Sequence, residues 1–443
     1  MSEKKSILRP LSQIEESFMR TSLFYPLNAV CVIEFFQSPV PEALRSALDR
    51  LRKVNPFLQV AIKEADNRYY FVQDAGGGEI PLAVIPRSGD DHWQEIVKAE
   101  LNREFDHTQS PLMAASYLNS ADPSGNSEII LSFHHAFTDS VHILAMLEQM
   151  LSWLGADAGG NPDAYGTQES PDPGSPLLAQ VIPPGFRGGR LLSRLVPFFL
   201  RQMKDEIRYR RASRAVPDKP VPGTSENGLM TVRFSENETT ALIKWSRKNR
   251  LTLNSLITSA MLTALNTTRY QGGKSLMRAV QFANLRPYLH PPLPGSVPGS
   301  YVALTRFCVP VSDGNNIASA AAWLDRQMAA SFKRGDKFLY AMVVNQLAKR
   351  VIRTRSARMG SAALSYAGAI PLSETYGNLR IRDFHAFITN NAIGAELPAF
   401  GKIFSGRLSL DLNCLTAETT PSEAEEMARI IKSSLLKISL GDG

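Results

Sequence analysis

Long hydrophobic runs are missing from this 443-residue chain. Its most apolar windows, Ala29 to Phe36 and Leu195 to Leu200, fall well short of the ~18–20 residues that span a bilayer, and a soluble protein is expected. The opening stretch, Met1 to Met19, begins with charges but lacks the apolar core and small-residue cleavage site of a secretory signal, so export is not expected. Cysteine is scarce. Cys31, Cys308 and Cys414 show no metal-like spacing and read as buried thiols of a reducing compartment, which makes cytoplasm the expected location. There is no GxSxG elbow and no HExxH, and His92, His107, His142, His290 and His385 are scattered without ligand spacing, so neither a serine hydrolase nor a metal site is expected. His142 reads as a packing or cap residue. Gly272-Gly273-Lys274-Ser275 echoes the end of a phosphate-binding loop, but Thr268 stands where its first glycine belongs, and a surface turn is the better reading.

What is present describes a folded protein of two or three domain-sized units, with two large lobes as the simplest case. Hydrophobic residues make up 44% and charged residues 21%, the proportions of a globular rather than a disordered chain. The net charge is +7, and the segment from Phe186 to Arg214 accounts for all of it, with nine basic residues against Asp205 and Glu206. Leu191, Leu195, Phe198, Phe199 and Met203 give that segment an apolar side, with Pro197 predicting a kink or two short helices. The segment is either a helix packed across the lobes with a solvated basic face, or a landing surface for coenzyme A phosphates, an acidic carrier protein or a membrane. Nucleic acid is not expected, because no aromatic residues are interleaved as stacking platforms.

Periodicity places a strand at Ala29 to Phe36 and a helix from Pro41 to about Lys53 with Leu44, Leu48 and Leu51 on one face. Strands follow near Leu58 to Lys63 and Tyr69 to Gln73, a helix from about His92 to Phe105, and a strand at Glu128 to Phe133. Val141, Leu144, Leu147 and Leu151 mark the next helix. Gly155 to Pro184 is dense in Gly, Pro, Asp and Ser and reads as a linker or exposed loop; a second break spans Val216 to Gly228. Beyond it lie a strand at Leu229 to Phe234, helices near Glu236 to Lys248 and Leu253 to Arg269, and a final helix from about Ser422 to Leu436. The expected fold class is α/β with mixed sheets, divided into a first lobe at 1–178, a linker and basic helical segment at 179–228, and a second lobe at 229–443.

Between the strand ending at Phe133 and the helix at Val141 stands His134-His135-Ala136-Phe137-Thr138-Asp139-Ser140. A turn at an element edge can present an imidazole to substrate while its other nitrogen is held by a fixed partner. A neutral imidazole, with an ordinary pKa near ~6.5, can take a proton from a hydroxyl or amine. Neighbouring residues of an extended chain point to opposite sides, so one histidine serves chemistry and the other packing. Asp139 is poorly placed to orient His135 in a tight turn and is expected to hold the loop through an arginine. By itself a His-His pair is more often a buried structural or a surface pair than a catalytic one.

The stretch His134 to Ser140 resembles the HHxxxDG motif of the superfamily that contains chloramphenicol acetyltransferase, nonribosomal peptide condensation domains, and polyketide-associated and alcohol acyltransferases. Other segments resemble the same superfamily in its order: Arg9-Pro10-Leu11-Ser12 its opening motif, Leu51 to Leu58 its RRHPLL-like helix-to-strand segment, Asn284-Leu285-Arg286-Pro287 its NLRP-like strand end, Ser365-Tyr366-Ala367-Gly368 its SNxG loop, and Gly406 to Leu412 the following core strand. The resemblance covers nearly the whole chain. It departs at Ser140, where the motif has glycine, at Tyr366, where the loop has asparagine, and in the absence of the plant branch's DFGWG, of which Asp383-Phe384-His385 is only an echo.

The resemblance implies two chloramphenicol-acetyltransferase-like lobes with a tunnel at their interface, His135 as catalytic base, and His134, Asp139 and Arg286 as structural residues, the last two paired. Ser140, Ser365 and Gly368 are the implied substrate-binding positions. It implies no permanently bound cofactor, no metal, and acyl-coenzyme A or a phosphopantetheine thioester as co-substrate. The implied function is an acyltransferase forming an ester in secondary-metabolite or lipid biosynthesis, with a free-standing condensation domain or a catalytically silent scaffold as alternatives. Its partners would be a small-molecule or lipid acceptor, an acyl carrier protein and a peripheral membrane contact, with the chain itself a monomer.

Overall fold

In the computed structural model, which describes residues 7–74, 77–157, 175–212, 220, 226–273, 275–311, 317–354 and 357–440, a side-chain cap starts the first helix and a proline the second. After β1 (Ile7–Pro10), Ser12 and Glu15 form a reciprocal capping box that starts α1 (Gln13–Ser22). β2 (Asn28–Phe35) is followed by α2 (Pro41–Val54), which has Pro41 at its start and turns Leu44, Ala47, Leu48 and Leu51 inward. Asn55-Pro56 ends that helix, since the residue before proline is driven out of the helical region, and one tight turn leads into β3 (Val60–Ala65) and β4 (Arg68–Gln73). Then come β5 (Leu82–Pro86), α3 (His92–Leu101), β6 (Met113–Asn119), β7 (Ser127–His134) and α4 (Ser140–Asp157).

The rest of the chain runs through α5 (Leu178–Val181), α6 (Gly188–Ala212), β8 (Asn227–Arg233), α7 (Glu236–Lys248) and α8 (Leu253–Tyr270). α8 ends on Gln271 and Gly272, both at positive φ, which frees the chain to reverse into β9 (Leu276–Asn284). β10 (Val302–Pro310), α9 (Ile317–Arg334), α10 (Asp336–Arg353) and β11 (Gly360–Ala369) precede the strands β12 (Thr375–Tyr376), β13 (Leu379–Ile388), β14 (Ala395–Phe404) and β15 (Arg407–Leu415). The helix α11 (Pro421–Leu440) closes the chain.

Two six-stranded mixed sheets and a three-stranded sheet β1-β4-β3 result. The first large sheet runs β12-β13-β2-β7-β6-β5, the second β10-β9-β11-β14-β15-β8. β13 pairs antiparallel with β2, Phe384 facing Ile33 and Phe387 facing Val30, so the first sheet is completed by strands from late in the chain. α2 and α4 pack Leu44, Leu48, Leu147 and Leu151 over one face of that sheet. α8 and α11 cover the second sheet through Leu256, Ala260, Leu265, Met427 and Ile431. The mixed α/β class and the two sheet-bearing lobes are as the sequence implies.

The Gly155 to Pro184 stretch differs from the expected loop at both ends. α4 runs on to Asp157, because Gly155 lies against the Tyr376 backbone, where an added Cβ would come within 2.5 Å of it. At the far end α5 buries Leu178 and Val181, and the Pro176 carbonyl accepts from the Tyr301 hydroxyl at 2.7 Å. The middle of that stretch, most of the second break, and Lys274 lie outside the described residues. α6 is continuous through Pro197 rather than two short helices. Among the described residues no helix is long and apolar enough to cross a membrane.

Candidate active site

β7 ends on His134, and His135 opens the turn that follows; the first is buried and the second lines an apolar cavity. His134 is buried; its Nδ1 accepts from the Ala136 N–H at 3.2 Å, so Nε2 carries the proton and donates to the Ser22 hydroxyl at 3.0 Å. Burial pushes its pKa down to about 3, with His107 and His135 adding to the shift, and it stays neutral. His135 is only partly buried. Its Nδ1 lies 3.0 Å from the Thr138 carbonyl, which can only accept, so Nδ1 holds the proton and Nε2 keeps its lone pair. Phe18 stacks on the ring at 4.6 Å between centroids, and the His135 N–H is tied to the Leu27 carbonyl at 2.9 Å. Burial lowers the His135 pKa below the ordinary imidazole value, opposed in part by the Thr138 carbonyl and the Asp139 charge.

Asp139 caps α4. Its Oδ1 accepts from the N–H groups of Val141 and His142, each at 3.1 Å, and its Oδ2 accepts from the Tyr301 N–H at 2.8 Å and from Arg286. Burial alone would raise its pKa, but the Arg286 guanidinium holds it low. Arg286, 1% exposed, also donates to the carbonyls of Val297 and Gly299 and lies under the Tyr301 ring. One buried ion pair therefore joins the turn after β7 to the segment after β9. Thr138, between His135 and the Asp139 cap, sits 3.0 Å from His142 Nδ1 and bridges to Gly299.

A second clamp lies behind the first. Arg9 donates both terminal nitrogens to Glu15 at 2.7 and 2.8 Å, and Glu15 also accepts from the Ser300 N–H at 3.1 Å. Gly299, at φ +107°, allows this approach: a Cβ there would stand 3.0 Å from both Arg9 and Glu15. Between α1, α4, α10 and the facing edges of both large sheets is an apolar cavity of about 200 Å³. His135, Asp139, Ser140 and Ser365 line it, whereas Gly368 does not. Gly368 instead follows a bulge in β11 at φ +69°. His134 and Arg286 stand behind the wall as supports.

Several residues here escaped the sequence reading. Glu15 had a usable signal in the Ser12-x-x-Glu15 capping pattern. Asn390 had none: it is buried in the cavity wall, its amide donates to the carbonyls of Glu396 and Asn413 at 3.3 Å, and its Oδ1 has no hydrogen-bond partner among the described residues. His385, set aside as an echo, is fully buried at the junction of the sheets, 2.8 Å from Asp411 and 3.1 Å from Glu34, while Lys402 reaches Asp411 at 2.5 Å. Burial opposes the charge on His385, but the Asp411 and Glu34 carboxylates together outweigh it and raise the pKa. Among the described residues no cluster of three or more His, Cys, Asp or Glu is arranged to hold a metal ion.

Residues 226–413 match the family model described as "Phthiocerol/phthiodiolone dimycocerosyl transferase C-terminus". A phthiocerol/phthiodiolone dimycocerosyl transferase of Mycobacterium ulcerans (strain Agy99) is 23% identical over 269 residues, 58% of this chain and 57% of that protein. One from Mycobacterium sp. (strain JLS) is 29% identical over 154 residues, 34% of this chain and 36% of its own length. The matches thus span little more than half of those relatives at most. The polyketide synthase associated protein 5 of Mycobacterium tuberculosis superposes with a TM-score of 0.68 over 99% of this chain and 100% of its own, at 17% identity. The trichothecene 15-O-acetyltransferase of Fusarium sporotrichioides does so with 0.74 over 97% and 94%, at 13% identity. These two likenesses establish the fold.

Proposed function

We propose that this chain, which belongs to the superfamily of condensation domains and polyketide-associated acyltransferases, moves an acyl group from a pantetheine thioester to a hydroxyl or amine, with His135 as general base. The carrying observation is the Nδ1–H to Thr138 carbonyl bond, which leaves the other imidazole nitrogen unprotonated on a residue that lines an apolar cavity shared by both halves. His135 Nε2 takes the proton of the acceptor as its oxygen or nitrogen attacks the thioester carbonyl carbon. The carbonyl π pair moves onto oxygen to give a tetrahedral oxyanion; its return expels the thiolate, which takes the proton from the imidazolium. No step requires a metal.

The apolar walls suit a long acyl chain or a lipid acceptor. Together with the transferase relatives this favours ester formation in lipid or secondary-metabolite synthesis. In the same reading the cavity is part of a tunnel between lobes at 1–178 and 229–443, joined by 179–228. His134, Asp139 and Arg286 hold the base, and Ser140 and Ser365 meet substrate. The donor is acyl-coenzyme A or an acyl carrier protein, with no permanently bound cofactor. The chain works as a cytoplasmic monomer with peripheral membrane contact.

The test is release of free thiol from a panel of acyl-coenzyme A donors with alcohol and amine acceptors, for wild type and His135→Ala. Acceptor-dependent release that falls by roughly 10²–10⁴-fold in a folded variant supports the base. Release unchanged in the variant overturns it. Release only from carrier-loaded donors selects a free-standing condensation domain, and silence with both donor classes points to a scaffold.

A further inference from the structure

α6 carries two apolar faces, and among the described residues one is covered and the other is exposed. Phe198 is buried against Leu339 and Tyr340 of α10, with Leu191 and Leu195 beside it. On the opposite side Leu192, Val196, Phe199, Leu200, Met203 and Ile207 are each between 48% and 67% exposed. At 3.6 residues per turn these six fall on one arc, roughly 22 Å long at 1.5 Å per residue. An exposed stripe of that extent marks a surface that meets something apolar.

The charges beside the arc identify its occupant. Arg190, Arg194, Arg201, Lys204, Arg208 and Arg211 gather along one flank, against Asp205 and Glu206, and Glu206 is engaged by Arg210 and Arg278. That flank continues into a polar cavity of about 270 Å³ lined by Arg201, Lys204, Arg208, Arg306 and Arg334 against two carboxylates, Asp205 and Asp336, the latter paired with Arg201 and Arg334, so the basic groups remain in excess. Inside it Nε of both Arg201 and Arg306 lacks a hydrogen-bond partner among the described residues. A second copy of so cationic a helix would meet it with like charge, whereas phosphate head groups supply the opposite charge beside an apolar interior.

We propose that α6 docks this protein on an anionic lipid surface, its apolar arc among the acyl chains and its basic flank and adjoining groove on the head-group phosphates. The placement suits a lipid substrate: α10, which carries α6, also lines the central cavity through Val344 and Ala348, so one helix separates the membrane face from the site. The inference rests on the peripheral contact in the function proposed above. Vesicle binding needs no turnover, so failure to bind and failure to transfer acyl groups are separate results.

The experiment is co-sedimentation of the full chain with vesicles of phosphatidylcholine alone or mixed with phosphatidylglycerol, at low and high salt. Wild type is expected to bind the mixed vesicles at least about tenfold more tightly, and more weakly as salt rises. Two variants test the two halves of the surface: Leu192→Ser/Phe199→Ser/Met203→Ser removes the arc, and Lys204→Glu/Arg208→Glu/Arg211→Glu reverses the flank. Each is expected to lose roughly tenfold or more while keeping the wild-type melting temperature, because all six side chains are exposed. Equal binding to both vesicle types, or wild-type binding by a folded form of either variant, overturns the proposal. A wild-type dimer that the serine variant converts to a monomer also overturns it and assigns the arc to a second copy.

Discussion

Replacing Asp139 by alanine removes three supports at once, and the structure fixes their sizes. The carboxylate caps α4 through two backbone N–H groups, a contribution of about 1 kcal/mol. It is also the carboxylate partner of Arg286, a guanidinium 1% exposed, and breaking a buried pair from one side costs about 3–5 kcal/mol because the remaining charge is stranded. The Tyr301 N–H loses its acceptor as well. The cap and the ion pair alone come to about 4–6 kcal/mol, before the Tyr301 N–H is counted, which approaches the whole stability of a typical domain, ~5–15 kcal/mol. Urea unfolding is the assay, with the loss appearing as a lower midpoint at unchanged slope. Asp139→Asn keeps the cap and should lie about 1 kcal/mol above the alanine variant. Asp139→Asn/Arg286→Met, which removes both charges, should be less destabilised than the sum of its single variants. An alanine variant within about 1 kcal/mol of wild type, or additive losses in the double variant, would refute the account.

Three further outcomes are expected. Because burial lowers the His135 pKa, the acidic limb of kcat/KM for acyl transfer should lie below the ordinary imidazole value of ~6.5; a limb at or above it contradicts the assignment. Gly155→Ala forces a Cβ to within 2.5 Å of the Tyr376 backbone and should cost about 1–3 kcal/mol in urea unfolding, whereas the alanine would otherwise favour the helix. His134 and His142 have folded pKa values of about 3, set mainly by burial. As pH falls below ~6.5 the unfolded chain binds protons that the native state refuses, so each contributes a loss of about 2 kcal/mol between pH 6.5 and 5. His385, with its raised pKa, has the opposite sign: its contribution is present below ~6.5 and lost as pH rises through the folded value. Equal urea midpoints at pH 7 and 5 would count against the two buried histidines.

Much of the element order was legible because its determinants are local. The α2 stripe, the Pro41 start, the Asn55-Pro56 stop and the strand ending at His134 can all be read within a few residues. β6 escaped because Met113-Ala114-Ala115-Ser116 carries no β-branched residue, and it exists by pairing with β7. The entry of β12 and β13 into the first sheet is a long-range pairing that no window reveals. At the site, the histidine turn is one contiguous motif. Asn390 follows β13 and carries no local sign, whereas the His385 cluster is drawn from β2, β13, β14 and β15, far apart in sequence, and polarity within apolar runs such as Ser409 to Leu412 was its sole local sign.

The geometry also couples the proposed base to the second half of the chain. Arg286 fixes the Asp139 carboxylate, Asp139 fixes the first turn of α4, and that turn places the Thr138 carbonyl, which sets the His135 tautomer. Tyr301 closes the loop by donating its N–H to Asp139 while its ring covers Arg286. No member of this series except His135 and Asp139 lines the cavity. In the proposed mechanism Arg286 would act on the chemistry through orientation: its loss would lower the fraction of His135 in the reactive tautomer, leaving the cavity walls in place. Since each link is a buried hydrogen bond with few alternative partners, the base is held by the packing of both halves together rather than by the turn that carries it.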